Sequence, residues 1–186
     1  MVVTSLAIPA VKLITPTVRP DSRGFFLERW NAADFAANGL DVTFVQDNHS
    51  RSVRGVVRGL HFQAGAHAQG KLVGVARGAI LDVAVDLRPG SPTFGRWVSA
   101  VLDDAELRQL WVPAGFAHGF AALTEVADVL YKTDRPYAPG SDAGVRWDDP
   151  AIGVDWGLGG VPPIVSERDA ALPLLAELRR FPEPRP

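Results

Sequence analysis

The sequence contains no cysteine, a single methionine and only two tyrosines in 186 residues. Without cysteine there is no thiol nucleophile, no thiolate metal ligand and no disulfide. A chain of this length can bury a sufficient core without such staples. No stretch approaches the roughly 20 apolar residues that a membrane helix requires. The N-terminus lacks the basic start and apolar run of a secretory signal, which gives the expectation of a cytoplasmic protein. Charge of one sign is missing too: the net charge of -2 offers no electrostatic reason for a nucleic-acid or membrane partner. Lysine is scarce, with three (Lys12, Lys71 and Lys132) against sixteen arginines. A lysine kept at position 71 in an arginine-preferring chain suggests that a compact ammonium is wanted there.

What is present is ordinary for a globular protein: 47% hydrophobic and 22% charged residues. Short apolar or β-branched runs recur about every ten residues, separated by Gly/Pro turns. Leu72 to Arg77, Ala79 to Leu87, Phe94 to Leu102, Leu110 to Val112, Phe120 to Leu123 and Val126 to Thr133 read as strands. In the second of these, Leu81, Val83, Val85 and Leu87 form one apolar face. Ala10 to Ile14, Gly24 to Trp30 and Val42 to Asp47 read as strands as well, and Asn48 to Ser52 as a polar loop. Asn31 caps a short helix over 32–37 that Asn38-Gly39 ends. Residues 136–163 read as irregular and packed by Trp147 and Trp156, and Ser166 to Arg180 as a helix interrupted at Pro173. Many short strands and little helix argue for an all-β sandwich or barrel, expected as a single domain over 1–186 with the segment 136–186 packed on it.

The stretch Gly55-Val-Val-Arg58-Gly-Leu-His61-Phe-Gln63 and the following Gly/Ala turn to Lys71 hold the chemistry. Side chains alternate faces along a strand, so Arg58 and His61 point opposite ways if the strand is regular. A bulge at Gly59 changes that phase. Taken alone, His61 is as readily a hydrogen-bonded core histidine as a base. Ser166 and Asp169 have capping-box spacing, Tyr131 reads as a half-buried aromatic, and Arg23 and Arg58 as surface charges.

Pro113-x-Gly-x-x-His118 has the spacing of the second motif of cupins, small jelly-roll barrels. Where metal-binding cupins place His-x-His and an acid, this chain has His61-Phe-Gln63 and Lys71. A cation in the ligand cage repels a divalent metal, so a metal-free cupin is expected. Further motifs occur in order: Asp47-Asn-His-Ser-Arg-Ser, Ser91-Pro-Thr-Phe-Gly, Tyr131-Lys-Thr, Gly144-Val-Arg-Trp-Asp-Asp-Pro and Ser166-Glu-Arg-Asp169. Together this set resembles the dTDP-4-dehydrorhamnose 3,5-epimerases, cofactor-independent enzymes of nucleotide-sugar metabolism.

The resemblance implies a cupin-type jelly roll with short peripheral helices, no cofactor, no metal, and a dTDP-4-keto-6-deoxyhexose substrate. It implies His61 as base oriented by Asp169, Tyr131 as the acid on the opposite face, Lys71 at the enolate oxygen, and His118 lining the pocket. Arg23 and Arg58 are implied to hold the diphosphate, and Glu28, Gln46, Asp47, Asn48 and Tyr137 to contact the nucleotide. Asp142 and Arg168 are implied substrate contacts, standing where a glutamate and a lysine are usual. The loop Ala64-Gly65-Ala66 replaces a common Pro-Pro. The family is commonly dimeric, with residues 23–28 reaching a neighbour's site. Epimerisation at carbons 3 and 5, for dTDP-L-rhamnose synthesis, is the implied reaction. An epimerase of one carbon only and a silent nucleotide-sugar-binding cupin are the alternatives.

Overall fold

Residues 1–182 are described in a computed structural model of the chain. Thirteen strands appear: β1 (Val2–Ser5), β2 (Lys12–Thr15), β3 (Arg19–Asp21), β4 (Gly24–Phe26), β5 (Gln46–Val53), β6 (Val57–Gln63) and β7 (Lys71–Arg77), then β8 (Ala79–Asp86), β9 (Trp97–Asp103), β10 (Gln109–Val112), β11 (Phe116–Ala122), β12 (Val126–Thr133) and β13 (Asp142–Gly144). Helices are few and short: α1 (Ala32–Ala37), α2 (Glu167–Ala170) and two 3₁₀ turns at Pro139–Ser141 and Leu175–Glu177. One sheet has six strands in the order β1-β2-β10-β7-β12-β5, and the other has five in the order β13-β6-β11-β8-β9. Strands β3 and β4 form a separate exposed hairpin.

Alternation along the strands decides what fills the space between the sheets. Val73 and Val75, Ala127 and Val129, Ile80 and Ala84, and Phe116 and Phe120 pack there with Leu102 and Leu110. The opposite faces of β6, β8 and β11 bury Val57, Leu60, Val83, Val85, Ala117 and Ala121 under the C-terminal segment, with Trp156, Ile152 and Leu178 as its anchors. The apolar face read from Leu81 to Leu87 is therefore the one beneath this segment. Its other face carries Asp82 and Asp86 into the interior, both without solvent exposure. Asp86 accepts from Arg88, Ser91 and Thr93, which closes the Ser91-Pro-Thr turn. Burial pushes that carboxyl up, but these donors outweigh it and hold it at about 2.

Several expectations are corrected by the structure. Residues 48–52 are not a loop but the heart of β5, the edge strand paired along its length with β12. Its residues alternate, with Gln46, Asn48, Ser50 and Ser52 turned inward and Asp47, His49, Arg51 and Val53 outward. Strand β4 stops at Phe26, short of Trp30, and β9 starts at Trp97 because Phe94 belongs to the turn. The helix expected over 166–180 is interrupted at Pro173 as expected, but its two parts are only one turn of α2 and a 3₁₀ turn. Asn31 caps α1 as expected, accepting from the Ala33 and Asp34 amides.

Candidate active site

The site begins with a bulge in β6. In the β6–β11 pairing His118 lies opposite His61, but Phe120 lies opposite Arg58, so three steps on one strand match two on the other. Gly59 supplies the extra residue, at φ +132, with Gly119 packed against it. A Cβ at Gly59 would lie 2.6 Å from the Gly119 Cα, so both positions require glycine. The bulge shifts the phase of the strand, and Arg58 and His61 both enter one cavity of about 540 Å³.

That cavity is also lined by Lys71 of β7, His118 of β11, Tyr131 of β12 and Asp169 of α2. A smaller cavity of about 220 Å³ adjoins it through His61, Lys71, Tyr131 and Arg168, and is walled by Gln46, Gln63, Tyr137 and Asp142. Phe120, Ile164 and Val165 give the larger one an apolar flank. An elongated ligand with a polar tail fits such a pair of connected spaces better than a compact one.

His61 Nε2 meets Asp169 Oδ1 at 2.8 Å, and the other oxygen of Asp169 accepts the Gly59 amide at 3.2 Å. Burial pushes the Asp169 carboxyl up, but the His61 contact, the Gly59 amide and the Ser166 hydroxyl hold it below the usual carboxylate range. An ionised carboxylate only accepts, so Nε2 carries the proton and Nδ1 is left basic. Ser166 caps α2 by accepting from the Asp169 amide at 3.0 Å. The cap and the His61 contact of Asp169 are therefore compatible: its main chain bonds Ser166 and its side chain bonds His61.

Lys71 contacts the His61 carbonyl at 3.5 Å. Burial lowers its ammonium to about 8, against the opposing pull of Asp82 and Asp142. Burial raises the Tyr131 phenol, which keeps it protonated at neutral pH, while Arg58 draws it down. His118 is nearly buried and meets Asp82 Oδ1 at 2.7 Å. Arg58 is held by the Ser52 hydroxyl at 3.0 Å and the Arg51 carbonyl at 3.2 Å. Among the described residues, no three His, Asp or Glu side chains gather as metal ligands would.

The comparisons with known proteins decide the family. The family model for dTDP-4-dehydrorhamnose 3,5-epimerase matches residues 5–177. This chain belongs to the dTDP-4-dehydrorhamnose 3,5-epimerase family. Relatives of that name from Salmonella typhimurium and Pseudomonas aeruginosa are 52% and 51% identical, over 94% and 98% of this chain and 96% and 100% of theirs. The solved dTDP-6-deoxy-D-glucose-3,5-epimerase of Legionella pneumophila, in complex with dTDP-4-keto-L-rhamnose, is 45% identical with a TM-score of 0.91. That alignment covers 95% of this chain and 93% of the Legionella chain. The two-sheet fold is accordingly the cupin-type jelly roll of these epimerases.

Against the expected site set, the structure gathers His61, Asp169, Tyr131, Lys71, His118, Arg58 and Arg168 around the larger cavity. Gln46, Tyr137 and Asp142 border the smaller one. Tyr137 donates to Asp142 Oδ2 at 2.9 Å, and Arg168 pairs with the same oxygen. Asn48 faces inward too, bonded to Gln46 and to the Tyr131 carbonyl. Asn48 lines neither cavity, and three further expected residues stand apart from both. Asp47 points to the outer face of β5, where it pairs with Lys132 at 2.7 Å. Arg23 is 88% exposed at the tip of the β3–β4 hairpin and paired with Asp21, and Glu28 is exposed beyond β4. Asp82 was missed, although a lone carboxylate within Ala79-Ile-Leu-Asp-Val-Ala-Val was a usable signal, since aspartate is depleted in buried strands.

Proposed function

We propose that this chain epimerises carbons 3 and 5 of dTDP-4-dehydro-6-deoxy-D-glucose, giving dTDP-4-dehydro-L-rhamnose without a cofactor. The observation that carries the assignment of roles is the shared cavity: a His–Asp dyad, a protonated phenol and a lysine line one space. The ketone at carbon 4 acidifies the protons on both neighbouring carbons. His61 Nδ1 removes one of them, and Asp169 stabilises the imidazolium that results. Lys71 donates to the oxygen as the enolate forms, in a water-poor site where that charge counts most. Tyr131 returns a proton to the opposite face, which inverts the carbon. No oxidation state changes, so the chemistry needs only an acid, a base and a cation. Arg58 grips the diphosphate, because a guanidinium fork meets two phosphate oxygens at once. Gln46, Asn48 and Tyr137 meet the nucleotide end, and Arg168 and Asp142 flank it.

The same reading makes the protein a homodimer in which the β3–β4 hairpin brings Arg23 and Glu28 to the neighbour's cavity. Support comes from the exposed Phe25 and Phe26 on that hairpin, a pairing of large apolar groups costly to leave in water. The deciding experiment is incubation with dTDP-4-dehydro-6-deoxy-D-glucose in deuterated water, followed by proton NMR. Deuterium at both carbons with the L-configured product supports the proposal. Exchange at one carbon alone moves the protein to a single-site epimerase, and no exchange defeats an epimerase role.

A further inference from the structure

Leu178 to Pro182 run as a strap against two loops of the barrel. The first loop, 64–70, joins β6 to β7, and the second, 134–141, joins β12 to β13. Gln63 and Gln69 at the ends of the first, and Tyr137 and Asp142 within and just after the second, wall the smaller cavity. The larger cavity is lined by none of these four. The strap holds both loops from two consecutive residues. The Arg180 guanidinium donates to the Gly140 carbonyl at 3.0 Å, and the Phe181 carbonyl accepts the Gly65 amide at 2.9 Å. Pro182 is buried and pairs with Gly65 in an isolated parallel bridge. The strap's own anchorage is apolar. Leu178 is buried and Phe181 half-buried in the cluster beneath the C-terminal segment, and the Phe181 and Phe94 rings lie 5.9 Å apart.

The turn at Pro139–Ser141 is where this tie bears on the cavity. Its Ala138, Pro139 and Ser141 carbonyls accept from the Ser141, Asp142 and Ala64 amides, and the Gly140 carbonyl accepts from Arg180. A Cβ at Gly140 would meet nothing within 4 Å, so that side of the turn is open. Tyr137 stands two residues before the turn and Asp142 directly after it, with the phenol donating to the carboxylate at 2.9 Å. A shift of the turn therefore carries two walls of the cavity with it. We propose that the strap is a positioning element for the nucleotide end: Arg180 and Phe181 hold loops 64–70 and 134–141 in register without touching the ligand. The inference rests on the reading of the smaller cavity as the nucleotide end. Loops that are already tied lose less freedom when a ligand binds, so the strap adds affinity through preorganisation.

Three variants of the full chain test this: Arg180→Ala, Arg180→Lys and Phe181→Ala. The first removes the tie to Gly140, the second keeps a donor there, and the third frees the strap from Phe94 while leaving the charge at position 180 in place. In the free protein, NMR amide exchange at Gly65 and over 138–141 should quicken in Arg180→Ala and Phe181→Ala, with the amides of β8 and β11 unmoved. Kd for dTDP should rise by roughly three- to tenfold in Arg180→Ala, the reach of one net hydrogen bond. Arg180→Lys should restore most of that affinity, and Phe181→Ala should weaken binding as well. KM for the sugar nucleotide should follow Kd, with a smaller change in kcat. Affinity within about twofold of wild type in both alanine variants overturns the inference. So does weakening confined to Arg180→Ala, which would be the loss of a charge, and so does a fall in kcat as large as the loss of affinity. A wild type that binds no dTDP defeats the epimerase reading and this inference with it, whereas wild-type binding that the variants leave unmoved defeats the inference alone.

Discussion

Replacing Asp169 by asparagine isolates what the carboxylate does for the base. Two donors converge on it, His61 Nε2–H at 2.8 Å and the Gly59 amide at 3.2 Å. Asparagine brings one carbonyl oxygen and one NH₂ group, so it can accept from only one side. Leaving a buried donor unpaired costs about 1–3 kcal/mol. The imidazolium formed on proton removal also loses its counter-charge, and a hydrogen bond to a charged group outweighs a neutral one by about 1 kcal/mol or more. Together these raise the barrier by about 3–4 kcal/mol, or roughly 10²–10³ in kcat. The assay is deuterium wash-in at carbons 3 and 5, with thermal unfolding as the control for the Gly59 bulge and the α2 cap. KM should change little, because Asp169 acts on His61 and not on the diphosphate. Exchange within about twofold of wild type would refute the dyad.

Arg58→Lys should raise KM for the sugar nucleotide and Kd for free dTDP by roughly tenfold with a smaller change in kcat, since lysine keeps the charge but loses the fork; unchanged affinity for both removes Arg58 from the diphosphate site. Gly59→Ala should destabilise the protein by about 2–5 kcal/mol in urea unfolding, from strain at φ +132 and a Cβ 2.6 Å from the Gly119 Cα. Activity of that variant should fall further than its stability, because the bulge sets the aim of both Arg58 and His61. Lys71 acts as an ammonium and is protonated below its lowered value of about 8, so kcat/KM should decline as pH rises through that point. In Lys71→Gln that alkaline limb should vanish along with most of the rate.

The gathering of His61, Lys71, Tyr131 and Asp169 at one cavity was legible because these residues sit in ordered motifs around rare residue types: one lysine, one tyrosine and a histidine in strands otherwise apolar. Its geometry was only half legible. Alternation along β6 allowed either phase for Arg58 and His61, and the close approach of Gly59 to Gly119 settles it, a contact 60 residues apart in the chain. Strand β5 was misread because its composition is that of a loop. Its polar residues turn inward on one side, where Gln46 and Ser50 reach the cavities, and outward to solvent on the other, so tertiary pairing with β12 overrides local propensity. The resemblance implies Asp47 together with Gln46 and Asn48, and in the strand Asp47 lies on the opposite face from those two, paired with Lys132. Arg23 and Glu28 lie outside both cavities, and the role proposed for them depends on the proposed dimer.

Two-sided proton transfer, with His61 on one face of the sugar and Tyr131 on the other, is most directly tested by Tyr131→Phe in deuterated water. His61 and Asp169 remain intact in that variant, so proton removal should continue and deuterium should enter the abstracted carbon. Inverted product should fall by about 10²–10⁴, the usual cost of losing a general acid. Exchange and product declining in equal measure would contradict the account and make Tyr131 a binding residue.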